Sequence, residues 1–183
     1  HTSLDRSKII PHQSLNNIPL RWQILVEVQR AMLKKQIAEC YQVPLYLKYI
    51  DDRIGFGVFA DAPIKEFDTI CEYTGQLCVE EDEESKDVDL NFSMDVGPYY
   101  NVDGKNKQLY VDAKKAGNFS RFINHSYLHN VNSISVYSEQ DGLWHVMLHA
   151  NQDIAQDDQL LANYGEGYWK SRGIEPIDLT ANP

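Results

Sequence analysis

The chain has 183 residues and a mass of 21.1 kDa, with 43% hydrophobic and 11% aromatic residues and a formal net charge of -10. That is enough for one domain with an extension and for a single buried core. The acidity argues against direct nucleic-acid binding, which needs a Lys/Arg footprint against phosphates, and favours a basic partner; no apolar run approaches the roughly 20 residues of a membrane-spanning helix.

His1-Thr2-Ser3-Leu4-Asp5-Arg6 shows no secretory pattern, and the missing initiator Met leads us to expect a segment of a longer protein. From Pro19 to about Gln42, Leu20, Ile24, Leu25, Val28, Met32 and Ile37 recur near helical spacing among charged residues, which predicts an amphipathic helix ending before Pro44. Short β-rich runs follow at Tyr46 to Ile50, Val58 to Ala60, Thr69 to Tyr73, Leu109 to Val111, Ile134 to Tyr137 and Trp144 to His149. Between them, Val79 to Asp89 is crowded with carboxylates, a pattern of a solvated loop or of an acidic lip that attracts a Lys-rich peptide. Cys40, Cys71 and Cys78 lack C-x-x-C spacing, so we expect neither a disulfide framework nor a structural zinc, and a reducing compartment.

Gly55-Phe56-Gly57-Val58-Phe59-Ala60 fits the dinucleotide fingerprint G-x-G-x-x-[G/A]. That fingerprint works only where a helix opens at the glycines, and Val58-Phe59-Ala60 reads as strand before Asp61-Ala62-Pro63, so the nucleotide reading fails on context. His145 and His149 are four apart, but they sit in an alternating strand-like stretch with no third ligand in view, and no metal is predicted.

The most specific segments are Gly117-Asn118-Phe119-Ser120-Arg121-Phe122-Ile123-Asn124-His125-Ser126 and Leu161-Ala162-Asn163-Tyr164-Gly165-Glu166-Gly167-Tyr168-Trp169. With Gly55-Phe56-Gly57 they resemble the signature of the SET-domain family of protein lysine methyltransferases. The resemblance covers roughly Tyr46 to Trp169 and implies a mainly β fold with short helices, the SET β-fold, whose C-terminal pseudoknot threads one segment beneath a loop formed by another. An N-terminal helical extension (1–45), a catalytic domain (46–172) and a tail or linker (173–183) are the implied organisation.

The resemblance also implies a cofactor, S-adenosylmethionine. Ile54, Gly55, Phe56 and Gly57 are expected against its methionine portion, and Arg121, Phe122, Asn124 and His125 around its adenine and amino-acid ends. Tyr168 is expected to stack on the adenine, with Trp169 supporting that wall. Tyr164 matches the catalytic tyrosine and also faces the cofactor. Methyl transfer to an amine is an in-line displacement that needs a neutral amine, whereas a free lysine has a pKa of ~10.4. An apolar channel and a tyrosine hydroxyl lower the cost of losing that proton. Leu90, Phe92 and Ala162 are the expected channel residues.

Four departures limit the carry-over. Tyr127-Leu128-His129-Asn130 stands where many relatives have Cys-Asp-Pro-Asn, the start of a zinc cluster; the family's Tyr-x-Gly-Glu is Tyr73-Thr74-Gly75-Gln76. Leu90 stands where a channel tyrosine is common, with Tyr99 or Tyr100 as candidate substitutes, and the small Ala162 suggests room for more than one methyl group. The expected function is lysine methylation of a basic protein such as a histone tail, in the nucleus or at chromatin. Two alternatives stand beside it: a non-histone target, and a module that binds cofactor without turnover. The missing zinc cluster also fits a bacterial effector acting in a host nucleus.

Overall fold

The computed structural model describes residues 31–79, 92–102, 105–138, 140–177 and 179. Residues 31–38 are helical (α1), and the helix stops in a turn at 39–40, where Cys40 takes a left-handed φ of 50°. The predicted helix therefore ends before Gln42, and its part before residue 31 lies outside the described residues, as does the acidic run from Glu80 to Asp89.

Among the described residues ten strands follow: β1 Leu45–Asp51, β2 Gly55–Ala60, β3 Thr69–Tyr73, β4 Gln76–Val79, β5 Ser93–Val102, β6 Lys105–Asp112, β7 Asn124–His125, β8 Val131–Ser138, β9 Leu143–Ala150 and β10 Leu161–Ala162. A 3-10 turn occupies Phe119–Phe122, and a helix, α2, spans Glu166–Arg172. Each of the six predicted β runs falls inside an observed strand, and Thr69–Tyr73 coincides with β3. β9 comes nearest to alternate burial: Trp144, Val146, Leu148 and Ala150 are buried while Leu143, His145 and His149 are only partly so, with the buried Met147 the exception.

β1 and β2 form an antiparallel hairpin, β4-β6-β5 a three-stranded antiparallel sheet, and β3-β9-β8-β10-β7 a five-stranded sheet. In the last, β10 lies between β7 and β8, parallel to both, with Leu161 opposite Asn124 and Ala162 opposite His125 and Val131. A late segment thus passes between two consecutive earlier strands and beneath their connecting loop, the threading that the resemblance implies. Ser126 N–H bonds the Ala162 carbonyl (3.1 Å), Asn130 N–H the Leu161 carbonyl (3.0 Å), and Leu161 N–H the Asn130 side-chain oxygen (2.8 Å). Asn130 is buried, so these bonds keep its polar groups satisfied while closing the loop.

The chain packs as two units. One includes Glu72–Asn118 and Ser135–Met147, the other Gln42–Cys71, Phe119–Ile134 and the chain from Leu148 on. Leu109, Val111, Trp144 and Met147 are buried in the first; Val58, Ile70, Leu148, Ile154 and Leu160 in the second. Val43 is also buried and donates its N–H to the Ile70 carbonyl (3.0 Å), so the packed body takes in residues ahead of Tyr46.

Candidate active site

The β1–β2 turn is built by Asp51, whose carboxylate accepts the backbone N–H groups of Arg53 and Ile54 (both 2.9 Å) and pairs with the Arg53 guanidinium (2.9 Å). This anchors Ile54 and leads into Gly55, whose φ of 78° is the left-handed region that glycine enters without steric cost. Phe56 is 47% exposed, and its ring meets Tyr49 and Phe122 edge-on at centroid distances of 5.6 and 6.1 Å. Gly57 is crowded, since a Cβ there would lie 2.7 Å from the Gln159 amide nitrogen.

The 3-10 turn places Arg121 5.1 Å from the Phe122 ring and is followed by the buried Ile123. Asn124 donates its side-chain amide to the Phe56 carbonyl (3.0 Å), which joins the glycine motif to the Asn-His motif. Gly117 and Asn118 belong to the other unit and are structural. Asn118 N–H bonds Thr74 Oγ1 (2.8 Å) and its amide the Glu72 carbonyl (2.7 Å), while a Cβ on Gly117 would meet the Thr74 carbonyl at 2.6 Å.

Tyr164 follows β10. Its hydroxyl donates to the Ile123 carbonyl (2.5 Å) and its backbone N–H to His125 Nδ1 (3.0 Å). Its ring lies parallel to Trp169 (6.0 Å) and edge-on to Tyr168 (4.8 Å), while His125 meets Trp169 at 4.9 Å. Gly165, with φ 80°, starts α2 and so turns Tyr168 and Trp169 back onto Tyr164. His125 is 5% exposed; its burial, reinforced by the charge of His129 and opposed by the Ala162 carbonyl, lowers its pKa. Because Nδ1 accepts a hydrogen bond, the neutral ring carries its proton on Nε2, a buried atom with no partner among the described residues.

Ile54, Gly55, Phe56, Gly57, Arg121, Phe122, Asn124, His125, Tyr164, Tyr168 and Trp169 all lie in one unit. Of the expected channel residues, Ala162 is in β10 of that unit, Leu90 lies outside the described residues, and Phe92 belongs to the other unit, its carbonyl accepting the Tyr73 hydroxyl at 2.7 Å. Tyr49 and Tyr127 were missed by sequence reasoning. Tyr127, edge-on to His125 at 4.8 Å, stands directly after the Asn-His-Ser motif, where its aromatic character was the available signal.

His145 and His149 lie four residues apart on β9, about 13 Å along a strand, too far to share a metal. His145 instead bonds Glu72 Oε1 (2.7 Å) and Asp141 Oδ2 (3.0 Å), and burial lowers the pKa of His149.

The SET domain family model matches residues 55–165. The chain is 29% identical over 153 residues to the variant-silencing SET domain-containing protein of Plasmodium falciparum, covering 74% of this chain and 6% of that protein. It is 30% identical over 130 residues to the histone-lysine N-methyltransferase EHMT1 of Mus musculus, covering 68% and 9%. Among solved structures, a humanized mutant of the Chaetomium thermophilum Polycomb Repressive Complex 2 bound to the inhibitor GSK126 matches with TM-score 0.53 and 27% identity over 69% of this chain and 15% of that one. The same complex in an autoinhibited conformation bound to S-adenosylmethionine matches with TM-score 0.51 and 27% identity, over 69% of this chain and 16% of that one. The chain therefore spans less than a tenth of the first two relatives. With the matched model covering the Gly-x-Gly, Asn-His and Tyr164 segments on this threaded β framework, the chain belongs to the SET-domain family.

Proposed function

We propose that this chain is an S-adenosylmethionine-dependent protein-lysine N-methyltransferase that acts on a histone tail in the nucleus. One observation supports it most: three segments spread over more than 100 residues of sequence, at Phe56, at Ile123 to His125 and at Tyr164, are tied into one packed unit by named hydrogen bonds. The names of the relatives point the same way, as does the net charge of -10, which suits a Lys-rich substrate.

The residues fit the cofactor. His125 Nε2 and Trp169 Nε1 are buried donors without a partner among the described residues, and buried donors are ordinarily satisfied, which suits a ligand rich in acceptors. Phe56 offers a half-exposed aromatic surface, and the open space at Gly55 leaves backbone accessible. When bound, the cofactor would supply an electrophilic methyl group carried on a sulfonium.

The chain's own residues then supply position and exclusion of water. A dry channel beside Tyr164 would disfavour a charged ammonium by desolvation and so lower the cost of a neutral lysine amine, while Tyr168 and Trp169, packed against Tyr164, form the wall read as facing the adenine. The Tyr164 hydroxyl orients the amine rather than acting as a strong base. Ala162 is small, which we read as room for more than one methyl group on the substrate amine.

Incubation with S-adenosylmethionine and mixed histones, read site by site by mass spectrometry, tests this. Di- or trimethyl increments on a defined lysine, collapsing at least about a hundredfold in Tyr164→Phe, are expected. Strict monomethylation at saturating cofactor would remove the Ala162 reading. Thermal stabilisation by the cofactor without histone turnover would move the conclusion to a non-histone target or to a binding module.

A further inference from the structure

We propose that His125 is a positioning residue for Tyr164, its imidazole holding the tyrosine backbone while the Ile123 carbonyl holds the hydroxyl. The inference rests on Tyr164 being the residue that orients the substrate amine.

Tyr164 lies two residues beyond the last paired residue of β10, in a stretch without strand pairing. Its orientation must come from other contacts, among them two hydrogen bonds. The N–H reaches His125 Nδ1 at 3.0 Å and the hydroxyl reaches the Ile123 carbonyl at 2.5 Å, so residues 123 and 125 hold Tyr164 at its backbone and at the tip of its side chain. The β7–β10 register, with His125 opposite Ala162, places the imidazole there. Trp169 and Tyr127 meet the imidazole edge-on at 4.9 and 4.8 Å, which restricts its rotation.

The grip requires a lone pair on Nδ1. Protonation there would set a second N–H against the Tyr164 N–H and break the bond. The titratable groups near the ring are His129 and the phenols of Tyr127 and Tyr164; burial is the largest influence and lowers the His125 pKa, the Ala162 carbonyl opposes it, and the charge of His129 adds to it, with lowering the net direction. The neutral, gripping form is therefore favoured at neutral pH and is lost on acidification.

Two variants separate the acceptor from the ring. His125→Phe keeps an aromatic ring without an acceptor, and His125→Asn places a carbonyl oxygen near the Nδ1 position without titrating. Two readouts are taken on the full chain: amide hydrogen exchange at Tyr164, and kcat and KM against pH on the methylated substrate. For His125→Phe, we expect Tyr164 amide protection to fall about tenfold, as for loss of one hydrogen bond, and kcat to fall at least as much with little change in substrate KM. His125→Asn should restore most of the protection and most of kcat, and its Tyr164 amide protection should not fall on acidification as that of the wild type does. Wild-type protection in His125→Phe, or a loss of Tyr164 protection on acidification in His125→Asn as large as that of the wild type, would overturn the proposal. If the wild-type chain methylates no protein, the function reading fails, while the exchange measurement still decides whether the grip exists.

Discussion

Asn124 donates its side-chain amide to the Phe56 carbonyl at 3.0 Å, joining two segments 68 residues apart. This bond ties β7 to the glycine-bearing strand β2. Asn124→Ala removes it at a cost of about 1–2 kcal/mol, which lowers Tm by about 2–4 °C per kcal/mol in a chain of this size. Asn124→Asp should be worse, because a carboxylate oxygen then faces a carbonyl oxygen. Thermal melts of the three proteins check the ranking, and a wild-type Tm in Asn124→Asp would show that the bond contributes nothing.

Gly55 and Gly57 should resist substitution for different reasons. At Gly55 a Cβ meets nothing within 4 Å, but φ is 78°, so Gly55→Ala is strained by about 1 kcal/mol and Gly55→Asn by less. At Gly57 a Cβ would lie 2.7 Å from Gln159 Nε2 and 2.8 Å from Ile50 Cδ1, an overpacking that costs about 1–3 kcal/mol. Truncating Gln159 to Ala should therefore recover part of the loss in Gly57→Ala and none of it in Gly55→Ala. Urea unfolding of the singles and doubles measures both couplings. Equal recovery in the two backgrounds would sink the distinction.

These contrasts mark what the sequence makes legible. β3 and β9 could be read because Ile70, Trp144, Val146 and Leu148 alternate or cluster as buried strand residues do. β5 could not, since Gly97 and Pro98 interrupt it, and its register with β6 breaks between Asp95 and Tyr99. β7, which is Asn124 and His125, and β10, which is Leu161 and Ala162, are two residues each, so no periodicity can reveal them; only the motifs marked the places. The Tyr164 grip on Ile123 and His125 spans about 40 positions and is a property of threading rather than of local pattern. Glu72 and His145 are likewise 73 residues apart, and spacing alone offered only His145 with His149.

The His145 cluster predicts a pH dependence of stability whose sign is fixed. Burial disfavours the imidazolium, but the hydrogen bonds and charges of Glu72 and Asp141 outweigh it and raise the His145 pKa above its ordinary 6.5. A raised pKa means that this contribution is complete below pH 6.5 and is lost as pH rises through the folded value. At Asp141 burial is again opposed and overcome, by the Leu143 N–H and by His145 and Ser138, so its pKa falls below 3.8. Its contribution is present above pH 3.8 and is lost as pH falls through the lowered value. The pair is therefore most stabilising between those limits. His125 and His149, with lowered pKa values, act oppositely and weaken the fold on acidification, so total stability alone cannot isolate the cluster. The difference between wild type and His145→Gln can. We expect about 1–3 kcal/mol at pH 6, shrinking toward alkaline pH, in urea unfolding from pH 5 to 9. A difference constant across that range would mean that His145 stabilises by packing and neutral hydrogen bonds rather than by its charge.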